Sequence, residues 1–166
     1  MQHWYALYVN TRHEKKIALK LFEQGIEAYT PLAKKMQQWS DRKKWVEFPM
    51  LSGYIFVKTD LLNKDQILHT SSVLGFIKFN GKEAPVRESE INILKSIEQT
   101  GYDLTQETSE LSMSDEVEIT QGPLKGLTGK VVRIQNEEYI SIELASIQQS
   151  IRVKVPKHIL KVLVNS

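Results

Sequence analysis

The run Trp4 to Val9 is apolar and aromatic, which marks a strand. Helical spacing follows it, with Ile17, Ala18, Leu21 and Phe22 on one side and Lys15, Lys16, Lys20 and Glu23 largely elsewhere. A helix patterned in this way covers a sheet with one face. Thr11 stands where a cap is expected, Glu14 is three residues on to close a capping box, and Gly25 is placed to end the helix. A short strand is expected over Glu27 to Leu32. Pro49 and Gly53 bracket the entry into Tyr54-Ile55-Phe56-Val57-Lys58, a strand by its β-branched and aromatic content. A helix over Leu61 to Thr70, a strand over Phe76 to Phe79 turned by Asn80-Gly81, and a helix over Ser89 to Gln99 complete this part. The order β-α-β-β-α-β-α predicts a sheet with helices packed on it.

Between the second strand and Phe48 the pattern becomes polar, basic and aromatic. Lys34, Lys35, Arg42, Lys43 and Lys44 are interleaved with Met36, Trp39 and Trp45, and Ser40-Asp41 is suited to turning an extended hairpin. From Thr100 to Ser114 there is little to bury, so residues 101–113 read as a linker between a domain over 1–100 and a second over 114–166. In that second part Val117 and Ile119, Val132 and Ile134, Ile140, Ile142 and Leu144, then Ile151, Val153 and Val155 alternate with polar partners at period two. Short alternating strands of this kind predict a small barrel, and their β-branched content opposes a helical alternative. The fold class expected for the whole chain is α+β, an antiparallel sheet with helices joined to an all-β barrel.

Composition narrows the chemistry. The chain has 166 residues, no cysteine and a net charge of +2. It therefore holds no disulfide framework and no thiolate zinc site. No window approaches ~18 consecutive apolar residues, so neither a membrane span nor secretion is expected, and a cytoplasmic monomer is the default. Charge is unevenly spread. Residues 1–60 hold ten Lys/Arg against six Asp/Glu, while residues 114–166 hold seven against six. Nucleic acid is thus a partner for the first third rather than for the whole.

The stretch Gly122-Pro123-Leu124-Lys125-Gly126-Leu127-Thr128-Gly129-Lys130 feeds straight into the strand Val131-Val132-Arg133-Ile134. It is not a phosphate loop, because the position five before Gly129 is Leu124 and Val131 stands where magnesium would need Ser or Thr. It reads as a turn and barrel corner, with glycine supplying positive φ or close backbone approach. His3, His13, His69 and His158 stand at no metal-ligand spacing, and no nucleophile elbow is present. No catalytic residue, metal or cofactor is expected.

Four segments in order resemble the NusG family of transcription elongation factors. They are Trp4-Tyr5-Ala6-Leu7-Tyr8-Val9 with Glu14, Pro49-Met50-Leu51-Ser52-Gly53-Tyr54-Ile55-Phe56-Val57, Gly75-Phe76-Ile77, and the KOW signature Gly122-Pro123-Leu124 with Gly126 and Gly129. The resemblance implies an N-terminal NusG domain that binds the clamp helices of RNA polymerase, carrying Tyr8, Leu51, Tyr54, Phe56, Phe76 and Phe79 on its surface. His69 and Thr70 are similar to an element by which RfaH-like antiterminators touch the opposite side of the cleft, although the spacing after it is shorter here. The same resemblance implies a nucleic-acid patch of Arg12, His13, Lys15, Lys16 and Lys20, facing non-template DNA. The segment Arg42, Lys43 and Lys44 is a second nucleic-acid candidate, for single strands or upstream duplex. Leu124 and Leu127 stand where the generic KOW turn tends to carry an aromatic, and they mark the expected surface for a ribosomal protein or termination factor. The resemblance implies a specialised antiterminator of operons such as polysaccharide clusters. The alternatives are a housekeeping factor coupling transcription to termination or translation, and a ribosome- or RNA-associated KOW module.

Overall fold

The computed structural model describes residues 1–105 and 111–163, the side chains of 111–114 excepted. The chain forms two compact units, residues 1–32 with 49–91 and residues 33–48 with 92–166.

In the first unit the chain runs through β1 (His3–Val9), α1 (Glu14–Glu23) and β2 (Glu27–Tyr29). The chain then leaves this unit for the hairpin strands β3 (Leu32–Gln38) and β4 (Lys43–Pro49), whose residues 33–48 fall in the second, and β5 (Tyr54–Thr59) re-enters the first sheet. A short 3-10 turn leads into α2 (Lys64–Leu68), then β6 (Val73–Phe76), β7 (Lys78–Phe79), β8 (Lys82–Glu83) and β9 (Pro85–Val86). The sheet has the order β2-β5-β1-β6 with β9 also on β1, and the pairings are antiparallel. Its centre is β1, which takes β5 on one edge and β6 and β9 in succession on the other. That position explains why Trp4, Tyr5, Ala6 and Leu7 are all buried: a central strand is covered on both faces.

Side chains alternate across strands, so Tyr5, Leu7, Val9, Ile55, Val57 and Phe76 form one face. With Ile17 and Leu21 of α1, Ile26, and Ile67 of α2 they make a continuous apolar core. Trp4, Ala6, Tyr8, Tyr54 and Phe56 belong to the other face, where the Tyr29 ring lies 6.5 Å from Trp4 and 6.4 Å from Phe56.

Helix α1 differs from expectation at its start. It begins at Glu14, because Arg12 takes a left-handed φ of 71° and His13 occupies the cap position with no side-chain cap bond. Thr11 and Glu14 therefore form no capping box. The far end is as the sequence predicts: Gly25 N–H donates to Phe22 and Ile26 N–H to Leu21, the paired bonds of a Schellman stop, and Ile26 is buried behind it. Phe22, expected in the core, is 73% exposed. At about 100° per residue it sits roughly 120° from the midline of Ile17 and Leu21, beyond the buried stripe. The expected strand over Phe76–Phe79 is also two elements: β6 stays on β1, while β7 pairs with β8 through the Asn80-Gly81 turn.

Helix α3 (Glu88–Thr100) buries Ile91, Leu94 and Ile97. Beyond it come β10 (Leu104–Thr105), β11 (Leu111–Ile119), β12 (Thr128–Ile134), β13 (Glu137–Leu144), β14 (Gln149–Val153) and β15 (Leu160–Val162). They form one antiparallel sheet in the order β10-β14-β13-β12-β11-β15. The C-terminal domain is all-β, as the alternation at Ile140, Ile142, Ile151 and Val153 predicts. Within the stretch read as a linker, Leu104–Thr105 pairs with β14 and Leu111 and Ser112 pair with β12; residues 106–110 lie outside the described residues.

Candidate functional site

Tyr8 and Tyr54 oppose each other across β1 and β5, with ring centroids 5.2 Å apart and planes tilted by 49°. Tyr8 is 44% exposed and Tyr54 half-buried. Burial first, and the neighbouring Tyr8 phenol second, push the Tyr54 phenol above its usual range. Two adjacent rings left partly in water on a strand pair form an amphipathic surface of the kind that anchors interfaces. Phe79 on β7 is also exposed.

Three aromatic or apolar side chains expected on this surface are not on it. Phe56 is fully buried, and Leu51 and Phe76 are buried as well. Phe76 points to the helix-covered face and belongs to its core. Phe56 shares the face of Tyr54 but lies two residues further into the sheet, beside Tyr29. These residues support the surface from beneath.

A second cluster gathers at the start of α1. Val9 N–H donates to the Gly53 carbonyl at 3.0 Å and Asn10 N–H to the Ser72 carbonyl at 3.0 Å. His13 Nδ1 lies 3.1 Å from Ser72 Oγ. The fold thus brings His13 beside the Thr70–Ser72 turn, which the sequence places far apart. Arg12, His13, Lys15 and Lys16 are exposed, and Lys20 is half-buried. His69 is exposed, with Nδ1 2.6 Å from the Asp65 carbonyl. Thr70 is buried instead: its hydroxyl donates to the Gln66 carbonyl at 3.3 Å and accepts from Gln24 Nε2 at 3.3 Å. A hydroxyl committed on both sides is a brace between α1 and α2, not a contact surface.

In the hairpin, Trp39 N–H donates to the Arg42 carbonyl at 2.7 Å, closing the expected turn at Ser40-Asp41. Every residue from Lys34 to Trp45 is exposed, including Arg42, Lys43 and Lys44. Trp39 and Trp45, which the sequence interleaves with these cations, are 52% and 64% exposed.

The glycine-rich turn of the second unit is a correction for Leu124. This residue is 1% exposed and belongs to the interior, while Leu127 is half-buried. Gly122, Pro123, Lys125 and Gly126 are exposed around it. A cleft of about 500 Å³ elsewhere in this unit is floored by Val131, Ile140 and Leu160. Its rim charges are paired internally, Lys154 with Glu137 at 3.2 Å and Lys157 with Glu138 at 3.5 Å. The Lys154 ammonium holds the Glu137 carboxyl below its usual range, and Tyr139 adds a hydrogen bond. Among the described residues no group of three His, Asp or Glu is arranged to hold a metal ion, and no helix is long and apolar enough to cross a membrane.

A mixed α/β domain that carries aromatic and cationic surfaces on an antiparallel sheet is thus followed by an all-β domain with a glycine-shaped turn. Residues 2–95 match the family model described as transcription termination factor nusG, and residues 113–143 match the KOW motif. The chain belongs to the NusG family of transcription antitermination and elongation factors. It is 26% identical over 148 residues to the transcription termination/antitermination protein NusG of Haemophilus influenzae, covering 81% of this chain and 80% of that one. Thermotoga maritima NusG has a similar fold, with a TM-score of 0.63 at 17% identity over 97% of each chain.

Proposed function

We propose that this protein rides on RNA polymerase during elongation as a specialised, operon-targeted antiterminator. The observation that carries the reading is the Tyr8–Tyr54 pair, two rings 5.2 Å apart and partly in water. In this reading the pair, with Phe79 beside it in function, docks on the clamp helices. His69 faces the other side of the cleft. Arg12, His13, Lys15, Lys16 and Lys20 meet non-template DNA, and the hairpin cations Arg42, Lys43 and Lys44 meet nucleic acid near the fork. Residues 1–100 form the polymerase-binding domain and 114–166 the KOW domain, with 101–113 between them.

The mechanism requires no covalent chemistry. A factor that binds the elongating state more tightly than the paused state shifts the population toward elongation by that difference in affinity. Replacing Tyr8 and Tyr54 together by Ala is expected to reduce polymerase binding and terminator read-through in parallel. Unchanged values for a folded double variant would sink the assignment.

A further inference from the structure

Asn80 is the one asparagine in the chain that is followed by glycine. With Gly81 it makes the two-residue loop between β7 and β8, at φ of 52° and 80°. Positive φ at both central residues defines a type I′ turn. Both residues are exposed, and a Cβ built on Gly81 would meet nothing within 4 Å. Water therefore reaches both, and nothing is packed over Gly81.

The hairpin that holds this loop is short. Phe79 opposes Lys82 and Lys78 opposes Glu83, and the two strands form a sheet of their own. Below them Ala84 N–H donates to the Ile77 carbonyl at 3.3 Å, and the Lys64 ammonium of α2 pairs with Glu83. A two-stranded hairpin is marginal in water, so this turn opens locally at low cost. Asn136 offers an internal comparison. It is exposed and also sits at positive φ in a turn, beside Gln135. Glu137 follows it, however, and β12 opposes β13 from Lys130–Ser141 to Ile134–Glu137 within the larger sheet.

We propose that Asn80 is a deamidation site whose rate is set by opening of the β7–β8 hairpin. Ring closure needs rotation about the Asn80 Cα–C bond, which a closed turn prevents. In the open turn the Gly81 backbone nitrogen gives its proton to hydroxide and attacks Asn80 Cγ. The bond from Cγ to the side-chain nitrogen breaks, and that nitrogen takes up a proton and leaves as ammonia. The five-membered cyclic imide then adds water at either carbonyl, and the ring reopens to aspartate or isoaspartate. One water enters and one ammonia leaves, with no oxidant or reductant. Glycine admits the ring because no Cβ crowds the attacking nitrogen. The product carries one more negative charge, and isoaspartate adds a methylene to the main chain, so the two-residue loop that opposes Phe79 to Lys82 is lost. The chemistry stands apart from the docking reading; only its effect on polymerase binding, through Phe79, rests on that reading.

The test is to incubate the full chain in mildly alkaline buffer and follow the peptide containing residues 79–82 by mass spectrometry. Labelling by an isoaspartyl methyltransferase with S-adenosylmethionine is the second readout. Exchange of NH₂ for OH at Asn80 is expected to run roughly tenfold faster, or more, than at Asn136. Lys64→Met frees β8 from α2 and should accelerate it about 1.5- to 5-fold, while Asn80→Ser removes both signals from this peptide. Conversion at Asn80 no faster than at Asn136, or an unchanged rate in Lys64→Met, would overturn the proposal. If converted protein binds polymerase as tightly as fresh protein, the Phe79 docking assignment fails alone and the modification site stands.

Discussion

The carboxyl of Glu14 in α1 accepts a hydrogen bond at 3.2 Å from the backbone N–H of Gly53, at the entry to β5, 39 residues away. Glu14 is almost completely buried and Gly53 is buried with it. This bond ties the start of α1, where Arg12 and His13 are exposed, to the residue preceding Tyr54. One latch thus positions both the cationic cluster and the tyrosine pair.

Glu14→Ala leaves a buried N–H without an acceptor, an expected loss of about 1–3 kcal/mol. Glu14→Gln keeps a side-chain carbonyl within reach and should lose less. Urea unfolding of the two variants measures the difference, and equal losses would show that the bond is not what Glu14 contributes.

The buried and exposed aromatics of the same face should separate cleanly. Phe56→Ala empties a fully enclosed site and is expected to cost about 3–5 kcal/mol. Tyr8→Ala, at a half-exposed edge, should cost no more than about 1 kcal/mol. Calorimetry on both variants checks this, and a Phe56→Ala protein as stable as its parent contradicts the burial of that ring.

Acid should weaken a specific brace. Lys64 Nζ lies 2.5 Å from the Glu83 carboxyl, joining α2 to β8, and that hydrogen bond holds the Glu83 carboxyl below its usual value of 4.5. A depressed carboxyl contributes stability that is present above the unfolded value and lost as pH falls through the folded one. Lys64→Met should therefore be less stable than the parent at neutral pH, with the gap narrowing below 4.5. A gap that stays constant across this range would exclude the ion pair as its source.

In the second unit Gly129 is required by space. A Cβ there would stand 2.6 Å from Ile140 Cγ2 and 2.7 Å from the Ser141 carbonyl oxygen on the adjacent strand. Gly126 is required by conformation, with φ at 90° and nothing within 4 Å. Gly129→Ala is expected to cost about 1–3 kcal/mol by forcing β12 from β13. Gly126→Ala should cost about 1–2 kcal/mol through backbone strain alone. Backbone amide shifts across β13 distinguish them, since displaced β13 signals are expected only for Gly129→Ala.

Local pattern carried much of the fold. The strands at Trp4–Val9 and Tyr54–Lys58, the Gly25 stop, the Asn80-Gly81 and Ser40-Asp41 turns and the alternating C-terminal strands follow from propensity and period, because each is decided by neighbours within a few residues. Pairing over distance was not legible. Thr11 and Glu14 have the spacing of a capping box, yet Glu14 serves Gly53, since a buried amide with no other acceptor outweighs a local cap. Leu124 looked like an exposed loop tip, but the turn folds it inward.

The amino-acid sequence by itself determined the kinds of element, their order, the two-domain plan and the family motifs, all of which depend on periodicity and on a few glycines. Tertiary structure alone decided which aromatics meet water. Period two tells that Tyr54 and Phe56 share a face, but only the neighbours laid over that face make one ring an accessible edge and the other a core residue.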